Sequence, residues 1–165
     1  MSSSLFDDES LLMMGKEDNN MKRYIHSTEV IEAMASINPR LCDQSTILVE
    51  LEQRNEGPIP HLHVYHDKTR NPRKCSYVRL DVPEYSIHHG SKKVVPLPDD
   101  KKEEFIKIMN SPWPKMLIQL PDGTARPSTG YEAAVNIWID TYGDDYSKFN
   151  FDANGQIIPI DYTLL

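Results

Sequence analysis

Pro60-His61-Leu62-His63-Val64-Tyr65-His66 and, after a polar interval, Ser76-Tyr77-Val78-Arg79-Leu80-Asp81-Val82 are the stretches that decide the fold. In both, apolar and polar residues alternate with a period of two, the signature of a strand whose successive side chains point to opposite faces of a sheet. Leu62, Val64, Val78, Leu80 and Val82 form a core face. His61, His63 and Tyr65, with Tyr77, Arg79 and Asp81, form the other. If residues 67–75 make the hairpin connection, His61 is expected near Asp81 and His63 near Arg79.

Working outward, residues 46–51 read as a strand with Glu50 on its less apolar side, and residues 85–89 as a short fourth strand. Upstream, Ser27 or Thr28 can cap a helix reaching Ser36. Downstream, Asp99-Asp100 open a helix with Phe105, Ile106 and Met109 on its apolar face, and Ser111-Pro112-Trp113-Pro114 stop it. Residues 116–120 read as a strand before the turn at Pro121-Asp122-Gly123. Residues 129–142 then form a helix turning Ala134, Val135, Trp138 and Tyr142 inward, with Gly143 at its C-terminal cap. This order predicts an α+β fold, an antiparallel sheet of about four to five strands with two to three helices packed on one face.

The 165 residues suit one ordinary core, and 39% hydrophobic with 26% charged residues is globular composition. Residues 1–20, acidic with one small apolar cluster, read as a flexible tail, and 21–165 as a single α+β domain. No apolar run approaches the roughly 20 residues of a membrane span, and the acidic start is not a secretory signal, so a cytoplasmic protein without membrane partners is expected. Cys42 and Cys75 fit no metal-ligand spacing and read as unpaired thiols.

The formal net charge of −7 argues against attraction of the whole chain to nucleic acid or anionic lipid. Its distribution is uneven. Between His61 and Lys93, seven bases (Lys68, Arg70, Arg73, Lys74, Arg79, Lys92, Lys93) stand against three acids (Asp67, Asp81, Glu84), a local +4 that leaves −11 for the remainder. Five of the six histidines lie in the same window.

Two imidazoles, carboxylates and a guanidinium on one face suit three chemistries. His61 and His63, with Asp81 or Glu50, can hold a divalent metal such as zinc or manganese. The same histidines can act as acid and base near neutral pH. His61, His63, Tyr65 and Arg79, with Arg70, Arg73 and Lys74 from the connection, can bind an anion without catalysis. Hydrogen-bonded surface histidines would account for the same residues. Of His88 and His89, on opposite faces of a strand, at most one can join the patch. Residues 150–161 can be laid on a calcium-loop template, but Asn stands first, Asp replaces the closing Glu, and Pro159 obstructs the following helix. A plain hairpin at Asn154-Gly155 is preferred.

From Thr46 to about Asn110, with Pro60-His61-Leu62-His63-Val64 at its centre, the chain resembles a family of small bacterial domains of unknown function marked by a Pro-His-Phe-His-Val strand. That resemblance implies a compact α+β protein of bacteria or mobile elements and brings no activity with it. Pro-His-Leu-His-Val also resembles the metal-binding strand of the HUH replication-initiator and relaxase endonucleases. Those enzymes need a nucleophilic tyrosine on a helix, commonly with lysine three residues later, and Tyr131, Tyr142 and Tyr146 lack that lysine.

The resulting expectation is a non-enzymatic accessory or binding protein of a bacterium or phage. It would need no cofactor and would engage a nucleotide, nucleic acid, other anionic small molecule or acidic protein surface through the His/Arg-rich hairpin. The alternatives are a metal-dependent phosphodiesterase or HUH-like nuclease using His61 and His63, and an assembly protein acting through its acidic tail.

Overall fold

The computed structural model of the protein describes residues 24–26, 45–51, 58–88, 92–143 and 146–165. The expected acidic tail, the helix ending at Ser36, Cys42 and His89 lie outside these residues. The fold is α+β, as the alternation implied, but the expected single sheet is two antiparallel sheets. One has the order β2 (Leu48–Glu50), β3 (His61–Tyr65), β4 (Cys75–Arg79), β5 (Tyr85–Ser86). The other places β6 (Pro112–Gln119) between β1 (Tyr24–His26) and β7 (Ala125–Thr129).

Register in the first sheet confirms the two faces of the hairpin and shifts the partners. Leu62 pairs with Val78 and Val64 with Ser76 and Val49, so these side chains share the core face. His61 lies opposite Arg79 and His63 opposite Tyr77 and Glu50, which corrects the expected pairs with Asp81 and Arg79. The strands are bounded at Tyr65 and Cys75, and a 3-10 turn at Pro72–Lys74, capped by the Asn71 side chain, takes up the connection. A shift of two residues preserves every face while changing every neighbour.

α1 (Asp99–Asn110) buries Phe105, Ile108 and Met109, spaced as one helical face, and carries Asp99 and Asp100 where the positive end of its dipole favours them. Ser111-Pro112-Trp113 ends α1 as expected, but at once begins β6, whose register shifts between Trp113 and Leu117. Proline is tolerated at the start of a strand because no ladder donor is needed there.

α2 (Gly130–Thr141) starts in a capping box. Thr129 accepts from the backbone of Glu132, whose carboxylate accepts from the Thr129 N–H. Gly130 admits α1 at close range: a β-carbon there would lie 2.5 Å from the Ile108 carbonyl oxygen. Residues of β2, β3 and β4, both helices and β6 join one buried cluster including Leu62, Val64, Val78, Phe105, Met116 and Trp138. Tyr131 donates its hydroxyl to the Leu80 carbonyl at 2.5 Å, and Tyr162 to that of Arg79, fastening α2 and the C-terminal segment where β4 ends.

Candidate metal centre

The outer face of the hairpin begins with i, i+2 geometry on β3. His61 and His63 point the same way, and their rings stack with centroids 5.3 Å apart and planes 19° from parallel. β5 ends at Ser86, opposite Tyr77, and two residues later His88 brings a third imidazole over the same face. Its centroid lies 5.0 Å from that of His63 and 5.7 Å from that of His61. One ligand nitrogen from each of the three rings falls within 4.8 Å of the others.

Neighbours hold these rings in place. Tyr77 stacks on His88 at 4.8 Å and meets His63 edge-on at 5.0 Å, forming a wall behind the cluster. Trp138, from the third turn of α2, packs 5.9 Å from His61, which is only 5% exposed. His63 and His88 are half-buried. The Nδ1 atom of His61 lies 2.8 Å from the Ile59 carbonyl oxygen. A carbonyl only accepts, so Nδ1 carries the proton and donates, and in the neutral ring Nε2 is then the lone-pair nitrogen. An N–H to backbone carbonyl bond on one side of the ring is the usual way a ligating histidine is oriented.

The other expected site residues are distributed around this cluster. Glu50 is buried and forms an ion pair with Arg70. Arg70 has a left-handed backbone (φ 56°), which costs a non-glycine residue roughly 1–2 kcal/mol, and the ion pair offsets part of that cost. Arg79 grips Asp81 with two nitrogens, at 2.9 and 2.7 Å. Neither carboxylate belongs to the group of converging ligand atoms; the third member is His88. Arg73 and Lys74 are exposed on the 3-10 turn. Tyr65 is half-buried beside Cys75 and Glu50, and burial first, then those neighbours, push its phenol up to about 12.

Burial likewise pushes the Cys75 thiol up to about 12, against a hydrogen bond from Tyr77, so it remains protonated and is a poor metal donor at neutral pH. His66 faces away, its Nε2 2.9 Å from Ser76 Oγ, and burial holds it below the usual histidine range. Residues 151–157 close as a hairpin, with Phe151 bridged to Ile157 and Asp152 accepting from the backbone of Asn154 and Gln156.

Sequence reasoning placed His61 and His63 together but left the choice between His88 and His89 open. The parity of residues 85–89 singled out one of them without saying which. No family model, curated protein or solved structure matches the chain. Among the described residues, no helix is long and apolar enough to cross a membrane.

Proposed function

We propose that this protein binds a divalent transition metal of the zinc class through His61, His63 and His88. The observation that carries the reading is the convergence of three imidazole nitrogens within 4.8 Å on one sheet face. A tetrahedral zinc ion with bonds of about 2.0–2.1 Å holds its nitrogens roughly 3.4 Å apart, so small side-chain rotations close the site. An all-imidazole set favours zinc, copper or nickel, whereas the carboxylate-bearing set expected earlier would have suited manganese as well.

Anion binding by the hairpin residues alone receives less support from the geometry, because Arg70 and Arg79 are each engaged by a carboxylate. A nuclease reading would place a tyrosine nucleophile beside the metal. The tyrosine adjoining all three imidazoles is Tyr77, on a strand, and Tyr131 is buried with its hydroxyl committed to Leu80.

Calorimetric titration of the chelator-treated protein with zinc tests the proposal. One zinc per chain, lost in a His61→Ala, His63→Ala double variant that stays folded by circular dichroism, is the expected result. Absence of binding, or binding unchanged in that variant, would refute it.

A further inference from the structure

Three neutral imidazoles bring no charge to the ion they hold, so a bound divalent metal would keep its full positive charge in a half-buried setting, where uncompensated charge is costly. Among the described residues, the carboxylates closest along the sheet are committed elsewhere. Glu50, directly across from His63, is paired with Arg70. Asp81, two residues past the Arg79 that faces His61, is held by both Arg79 nitrogens. The three ligands that converge among the described residues also leave a tetrahedral ion one open place.

We infer that the metal at this triad is an anion receptor: a small oxyanion, a carboxylate or a phosphate, takes the open place and supplies the missing negative charge. The inference rests on the metal reading above and gives it a ligand class. The two Arg–carboxylate pairs then have a role at the site. By withholding Glu50 and Asp81 they reserve charge compensation for a ligand from solution.

The test uses the full chain loaded with cobalt(II), whose visible bands report its coordination, titrated at constant pH and ionic strength with acetate and, separately, inorganic phosphate. Calorimetric zinc affinity with and without each anion provides a second measurement. The expected result is a saturable band shift, with zinc bound about tenfold more tightly in the presence of the anion, a gain of about 1.4 kcal/mol. A response to both anions marks recognition of anionic oxygen in general; a response to one alone identifies the class. Arg70→Gln, which releases Glu50, should weaken the anion response, and a response equal to the parent's would contradict the charge argument. Metal bound with no response to either anion overturns the inference and leaves the metal reading standing. Failure to bind metal overturns both.

Discussion

The β3–β4 hairpin and the β7–α2 junction each hold an arginine fork on a carboxylate, and they put it to different use. At the junction, Arg126 grips Glu132 at 2.8 and 2.7 Å. The same carboxylate accepts from the Thr129 N–H at 2.9 Å, and Asn136 donates to the Glu132 carbonyl. This polarity is turned inward, satisfying the orphan N–H groups of a helix start. On the hairpin, Arg79 and Arg70 occupy Asp81 and Glu50 while three imidazoles converge beside them. Similar ion pairs therefore complete a fold in one place and, in the other, occupy the carboxylates beside three converging imidazoles.

The largest effect expected from this contrast lies within one strand. Leu62→Ala removes a fully buried side chain and should cost about 2–5 kcal/mol in denaturant unfolding, while a protein that still folds keeps its zinc stoichiometry. His63→Ala, one residue away on the opposite face, should cost far less stability without metal and abolish zinc binding. Equal losses of stability from the two would erase the distinction between the faces.

Next in size is Gly130→Ala. Its β-carbon would meet the Ile108 carbonyl oxygen at 2.5 Å, a backbone contact that yields only by moving α1 against α2. A loss of roughly 1–3 kcal/mol in thermal or denaturant unfolding is expected, with zinc affinity unchanged. Thr129→Ala should cost about 1 kcal/mol by removing the helix cap, again without touching the metal. Weakened zinc binding in either variant would show that the junction and the hairpin are coupled.

The smallest effect concerns acid. Asp122 and Asp161 each accept from the backbone and hydroxyl of the threonine two residues on, and these hydrogen bonds hold both carboxyls below their ordinary 3.8. A depressed folded-state value means the contribution is fully present above the unfolded value and is lost as pH falls through the folded one. Stability should therefore decline slightly below about pH 4, measured as the urea midpoint, and Asp122→Asn should remove part of that decline.

The hairpin was readable because alternation reports faces directly. Leu62, Val64, Val78 and Leu80 fall on the core side and His61 and His63 on the other, as their spacing required. Register was not readable, because the 3-10 turn at Pro72–Lys74 sets how much chain the connection consumes, and sliding by two residues leaves the pattern untouched. β7 was hidden in the sequence: in Ala125-Arg126-Pro127-Ser128-Thr129 the only strand-favouring residue is Thr129 and a proline interrupts the run, and the strand forms because β6 offers an edge. His88 lies beyond the last paired residue of β5, where strand periodicity no longer predicts direction, so its place beside His61 and His63 emerges only from tertiary structure.

Trp138 stands 5.9 Å from His61, and the other tryptophan, Trp113, belongs to β6, so the triad has its own optical reporter. Titrating the chelator-treated protein with zinc, while following tryptophan emission and measuring bound metal by mass spectrometry under native conditions, joins stoichiometry to location. A metal centre at the triad predicts one zinc per chain, an emission change that saturates at one equivalent, and loss of both in His88→Ala. One zinc per chain in His88→Ala with the parent's affinity would contradict it.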